Sequence, residues 1–354
     1  MALALGLVAL LVAVDPVAKP ATSFSRTHAA ASRCGWQIDP YKVRGELYGV
    51  TAINRNDVWA VGGADTDDSR PLALHRLGRG WRRVAVPMRQ DPYSLNAADF
   101  ATPNDGWAVG GEAAHWDGRR WTIVATPGLG FYLEDVAALR KDDAWAVGSS
   151  GDGVHAYAAA GHWNGRRWVD MATPDVGQSR LRAVAVISRN NVWAVGNKTD
   201  RTLIEHWDGK HWREVPNPAA PRGEFADIAA VSARDIWAVG DYGPPAANEA
   251  RPLIEHWDGT KWSVVSSPVR RGSLKSVAVL STRDIWVSGG RETATYGAIL
   301  AHRLGATWRL VQTPHIKGHR GLLIAAAGRD DIWAVGHVIY YSYHDVIEHY
   351  SCRT

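Results

Sequence analysis

The stretch DVWAVGG at residues 57–63 returns as DGWAVGG (105–111), DAWAVGS (143–149), NVWAVGN (191–197), DIWAVGD (235–241), DIWVSGG (284–290) and DIWAVGH (331–337). The tryptophans of these copies, Trp59, Trp107, Trp145, Trp193, Trp237, Trp286 and Trp333, fall 38 to 49 residues apart. A repeat of that length, rich in strand formers and punctuated by glycine, predicts a closed array of four-stranded sheets. Seven such units use nearly all of the 354 residues, so the chain reads as one large domain despite its length.

Working outward from WAVG, each copy has four pieces. An apolar strand comes first, as in LYGVTA from Leu47 or LRAVAV from Leu181, and WAVG is the second. The third is clearest in LIEHWDG at 203–209 and 253–259. The fourth follows an Asp-Gly turn, as in KHWREVPNP (210–218), because Asp-Gly tolerates positive φ and matches the strand twist. The predicted fold is all-β: a seven-bladed β-propeller of four-stranded blades, spanning residues 33–354.

All 18 tryptophans fit this frame, seven on strand two, four on strand three, and Trp36, Trp81, Trp121, Trp168, Trp212, Trp262 and Trp308 on strand four. They read as core between blades. Seven of the 14 histidines, from His75 to His349, share one strand-three position and read as repeated, hydrogen-bonded structural residues. The seventh copy stops at IEHYSCRT without a fourth strand, whereas CGWQIDP at 34–40 supplies one from the other end. That alignment brings Cys34 and Cys352, the chain's two cysteines, together as a closing disulfide, which requires an oxidising compartment.

At these residues the chain resembles the kelch-repeat family and the propeller of galactose-oxidase-like proteins. WAVGG at 59–63 and 107–111 is similar to the kelch double-glycine motif, and EHWDGTKWSVVSSP (255–268) to its later aromatic segment. The resemblance covers about 34–352 and implies fold only. Four copies depart from it with one glycine each (Gly148, Gly196, Gly240, Gly336), and the turn between strands three and four is shorter. Galactose-oxidase copper chemistry needs a Cys–Tyr crosslink, which committed cysteines exclude. WD40 membership is not implied either, because the Gly-His dipeptide is missing.

The net charge of +4 comes without a Lys/Arg cluster, which argues against nucleic-acid binding. Ala2–Val14 is an uncharged apolar run of secretory h-region length, too short for a comfortable bilayer span. Residues 1–32 therefore read as a signal peptide and unstructured leader, and the protein as secreted and monomeric with no stable membrane span. No cofactor is expected. The histidine spacing is not a metal signature, and DTDD at 65–68 lacks EF-hand spacing, so no metal site is expected.

Function is sought where copies differ. The strand-one anchor precedes the strand-two tryptophan by 12 residues in each copy, Leu47 to Trp59 through Gly321 to Trp333. By contrast, the segment from the WAVG glycine to the strand-three histidine runs from 5 residues (Gly110 to His115) to 16 (Gly240 to His256). One face, carrying the connections from strand two to three and from blade to blade, is therefore variable and is the candidate site. Ten of the 11 tyrosines fall in its loops or at the channel mouth, which suits recognition; the alternative is that the rings merely cover long loops.

Tyr48, Tyr132, Tyr296, Tyr340 and Tyr343 are the candidate aromatic contacts. Arg180, Arg182, Arg222, Arg271 and Lys275 are the candidate cations for acidic groups. Mutual pairing, such as Arg222 with Glu224 or Arg44 with Glu46, is the alternative for the charges. Blade seven groups His315, His319 and Arg320 with His337 and Tyr341, the parts for proton abstraction beside a carboxylate. The leading reading is a ligand-binding propeller for a carbohydrate or an extracellular protein segment. The alternatives are a polysaccharide-lyase-like enzyme using the blade-seven residues and a cell-envelope protein-interaction platform.

Overall fold

The computed structural model describes residues 33–64, 70–78, 80–87, 94–126, 132–151, 155–218, 221–244, 250–291, 297–314, 319–340 and 342–353, with backbone alone at 33, 319–320, 337–340, 342–344 and 353. The segment 1–32, read above as signal peptide and leader, lies outside them. Every regular element among the described residues is a strand, and antiparallel four-stranded blades follow one another around a central channel. Blade one runs Gly45–Asn54, Asp57–Ala64, Pro71–Leu77 and Gly80–Arg83. Blades two to six occupy residues 95–124, 132–170, 179–214, 223–264 and 273–310. Blade seven takes His319–Gly328, Asp331–Tyr340 and Ser342–Arg353 from the C-terminal end, and Arg33–Ile38 from the other. The architecture is the one predicted.

Tryptophan holds blade to blade. Trp59 of blade one meets Trp121 of blade two edge-on with ring centroids 5.4 Å apart, and Trp107–Trp168, Trp145–Trp212 and Trp193–Trp262 repeat the contact. The same contact closes the ring, as Trp81 of blade one packs on Trp333 of blade seven at 5.6 Å. Each strand-two indole is also covered by the strand-three histidine of its own blade, as His75 stacks on Trp59 at 3.9 Å. His75 Nε2 is fixed 2.8 Å from Asp57 Oδ1, and the other six blades repeat the bond, with Asn191 replacing aspartate beside His206. The repeated histidines are thus structural.

The WAVG glycine has a steric cause. A Cβ on Gly62, Gly110, Gly148, Gly196, Gly240 or Gly289 would run into the backbone carbonyl of the residue preceding the strand-one anchor. The glycine after it in WAVGG, Gly63, meets only side chains, and blades three, four and five carry Ser149, Asn197 and Asp241 at that position. Gly196→Ala is therefore expected to lower stability by about 1–3 kcal/mol, whereas Gly63→Ala changes it little. Urea unfolding of both variants checks this; equal losses would remove the steric explanation.

Opposite each of those glycines lies the strand-one anchor, and directly after the anchor the inner strand carries a β-bulge. The residues left unpaired are Tyr48, Asn96, Glu134, Arg182, Ala226 and Lys275 in blades one to six. Blade seven differs. Leu322 pairs with Gly336 and Leu323 with Val335 without a shift, and the bulge falls earlier, at Arg320. Its anchor is therefore the buried Leu322 and not Gly321, because the position facing the glycine must supply an apolar side chain to the core. The constant 12-residue spacing thus holds in six blades only.

The seam between blades seven and one carries further ties. Cys34 and Cys352 face each other in register and form a disulfide. The Leu47 amide donates to the carboxylate of the buried Asp345, and Gly45 pairs in parallel with His344.

Candidate ligand-binding face

Because a bulge re-aims one side chain without disturbing the ladder beyond it, the six bulged residues turn toward the channel. Five of them, Tyr48, Asn96, Glu134, Arg182 and Lys275, line a central pocket of about 200 Å³ with Ala226, and the residues deeper along the inner strands form its wall. Blade seven, lacking a bulge at this level, contributes the apolar Leu323 and Ile324.

Charges in this pocket are compensated. Arg182 Nη1 donates to Glu134 at 3.2 Å and its Nη2 lies 3.5 Å from Glu224. Lys275 sits 3.6 Å from Asp241, and the Tyr48 hydroxyl donates to Glu46. Burial, reinforced by that bond and the Glu46 charge, pushes the Tyr48 phenol above its usual range. Pairing at the mouth thus exists, but between partners other than those expected: Glu224 takes Arg182 from the neighbouring blade, and Glu46 takes Tyr48.

Three carboxylates in the inner strands escaped the sequence reading. Asp135 accepts the Val184 amide of the next blade at 2.9 Å, Asp227 that of Val277 at 2.7 Å, and Asp99 that of Ala138 at 2.8 Å. Each fastens one inner strand to the next. Burial pushes Asp135 up to about 8, with Asp227 and Asp99 adding repulsion, and burial raises Asp227 to about 6. Asp99 is likewise raised by burial. An acidic residue inside an otherwise apolar strand, as in FADIAAV (225–231), was the available signal.

The remaining candidates are scattered around the face. Tyr132, 60% exposed, and Arg180 are the first and second residues of the inner strands of blades three and four, opposite Ser149 and Asn197. Arg222 has a left-handed backbone, φ 54°, with its amide donating to the Asp200 carbonyl. Arg271 borders a separate cleft beside blade five, whose lining includes Tyr242, one of the ten tyrosines of the variable face, and Arg251, which the sequence reading did not single out. Tyr296, His315 and Tyr341 lie outside the described residues. His319, Arg320, His337, Tyr340 and Tyr343 are placed by backbone alone; His319 faces Val338, and His337 faces Gly321 and Asp345 across adjacent strands.

Among the described residues, the one cluster with metal-ligand geometry is Cys34, Asp330 and Cys352, and its sulfurs are joined in the disulfide. No helix among them is long and apolar enough to cross a membrane.

Fold and face together define a seven-bladed β-propeller with one constant and one variable side. No protein-family profile and no curated protein matches the chain. Solved structures do. One described as "YCF48 bound to D1 peptide" is 15% identical with a TM-score of 0.64, covering 91% of this chain and 96% of that one. The "WD40 beta propeller domain of Doa1" is 12% identical with a TM-score of 0.60 over 89% and 97%. A protein of unknown function from Dyadobacter fermentans is 11% identical with a TM-score of 0.52 over 90% and 100%. At such identities the likeness is one of fold.

Proposed function

We propose that this protein is a secreted, monomeric binding module that holds an extended protein segment across its variable face, with the channel mouth at the centre. One observation carries the reading: the six bulges present a different side chain from each blade on an otherwise repeated frame. A scaffold that fixes position while varying chemistry is suited to recognition. The similar propeller described as "YCF48 bound to D1 peptide" supports a peptide over other ligands by analogy of fold. Export is supported by the Cys34–Cys352 disulfide together with the apolar run at 2–14. The strand-two glycine supports a kelch-like origin of the repeat.

A carbohydrate is the second reading, favoured by the exposed rings of Tyr48 and Tyr132, which could stack on sugar faces. Labelled, oxidised protein applied to peptide and glycan arrays tests both. The expected result is retention on peptides, weakened about tenfold by Tyr48→Ala or Lys275→Glu. Retention on glycans alone would move the assignment to carbohydrate, and retention on neither would overturn the reading.

A further inference from the structure

We propose that the cleft beside blade five is an acid-recognition site, taking the carboxylate side chains of an extended, acidic protein segment. The inference rests on the protein-binding reading above and supplies the chemistry of its partner.

The cleft has a volume of about 730 Å³, a size that fits several residues of a ligand. Its rim carries Arg251, Arg270 and Arg271, and its wall includes Tyr242 and Val264. Arg251 opens the third strand of blade five, directly opposite Tyr242 at the end of the second. Arg270 and Arg271 lie on the connection to blade six. That connection is held rigidly: Val269 is buried in the core between blades five and six, and the Gly272 amide donates to the Ala250 carbonyl at 2.9 Å. Three guanidinium groups are thus presented from fixed backbone around one opening.

Two comparisons within the molecule separate this cleft from ordinary surface charge. The cations of the channel mouth, Arg182 and Lys275, are engaged by Glu134, Glu224 and Asp241. The three arginines of the cleft are exposed and have no ion pair or side-chain hydrogen bond among the described residues. In blade four, the positions equivalent to Tyr242 and Val264 are Lys198 and Glu214, which close the same place with an ion pair at 2.6 Å. Blade five replaces that pair with an aromatic ring and an apolar side chain, Val264 being 59% exposed. An uncompensated basic rim over an apolar wall fits a strand in which acidic and apolar residues alternate, since alternate side chains of an extended segment point opposite ways.

Fluorescence anisotropy with a labelled peptide of alternating glutamate and valine, about twelve residues long, tests the site in the oxidised full chain. Binding should weaken as salt is raised and fall about tenfold or more in the R251A/R270A/R271A variant. The matched variant R166A/R167A, exposed on the opposite face, should bind as wild type does, and thermal melts check that both variants fold. Full-strength binding to the triple variant would overturn the proposal, as would no binding to the wild type or equal loss in the R166A/R167A control. Binding of polyglucuronate in place of the peptide would overturn the choice of a protein segment. If an array peptide binds the triple variant undiminished but is lost with Tyr48→Ala, the acid-recognition site fails while the protein-binding reading stands.

Discussion

Reducing the Cys34–Cys352 disulfide, or replacing it in Cys34→Ser/Cys352→Ser, should lower the melting temperature by about 5–10 °C. The two cysteines are 318 residues apart, so the crosslink removes nearly the largest chain entropy this protein can lose from its unfolded state. Loop closure over that separation gives about 5 kcal/mol, and measured disulfides more often give 2–4. The folded state adds a reason to expect a substantial effect. The strand Arg33–Ile38 is the outer strand of blade seven and is held on one side only, by Ser342–Arg353. Its tryptophan, Trp36, is half-buried against Trp286 and Tyr350, with centroids 6.5 and 5.6 Å away, so it fills a between-blade position that every other blade fills with a covalently continuous strand. Without the crosslink this strand detaches more readily, and Trp286 of blade six loses its cover. Thermal melts with and without reductant decide the matter: superimposable curves would show that strand pairing alone keeps the ring shut.

The pH dependence should be the second large effect, and it runs against the usual gain of stability on leaving acid. Glu205 lies in strand three with no exposed surface, and neither carboxylate oxygen has a hydrogen-bond partner among the described residues. Burial, with added repulsion from Glu214, pushes it up to about 8 against a partial opposing effect of Lys198. Burial holds its counterparts Glu255 and Glu348 at about 7, that of Glu255 despite a hydrogen bond from Asn217.

A raised carboxylate pKa means that the folded protein binds more protons than the unfolded chain between the two values. Stability is then full below about 4.5 and lost as pH rises toward 8. For Glu205 the loss is on the order of 3–5 kcal/mol, and Asp135, also raised to about 8, adds in the same direction. His75 and His206, whose pKa values are lowered by burial, oppose it below about 6.5 only. The urea midpoint should therefore be higher near pH 6 than at pH 8. Glu205→Leu should flatten the difference and raise stability at pH 8, because blade one already buries Leu74 at the equivalent position. A midpoint unchanged between the two pH values would contradict the assignment of Glu205 as a buried, proton-holding group.

Much of this architecture could be read directly because its causes are local and repeated. The WAVG glycine answers a clash with the strand beside it, the strand-three histidine answers an aspartate about twenty residues or fewer away, and each tryptophan answers the same neighbour in the next copy. Repetition turns those short-range demands into a visible pattern. The register of blade seven was not readable. GLLIAA at 321–326 offers three consecutive large apolar residues, and alternation cannot distinguish anchoring at Gly321 from anchoring at Leu322; the facing Gly336 decides it.

Charge partners on the face were equally hidden. Arg182 meets Glu134 and Glu224 from the blades on either side, each more than forty residues away in sequence. Glu134 holds the same bulge position one blade back, whereas Glu224 precedes its anchor, and the repeat does not say which of them a cation takes. The cleft beside blade five likewise needs the end of one strand, the start of another and a connection to a third before its arginines share an opening. The sequence alone therefore determined the blade number, the strand order and the core residues, which obey contacts that recur from copy to copy, and the cysteine pair, which stands where the hairpin of the other copies runs. Only the tertiary structure decided which charges neutralise one another and which stay uncompensated, because pairing depends on the few ångströms between side chains of different blades, and the repeat leaves those distances unspecified.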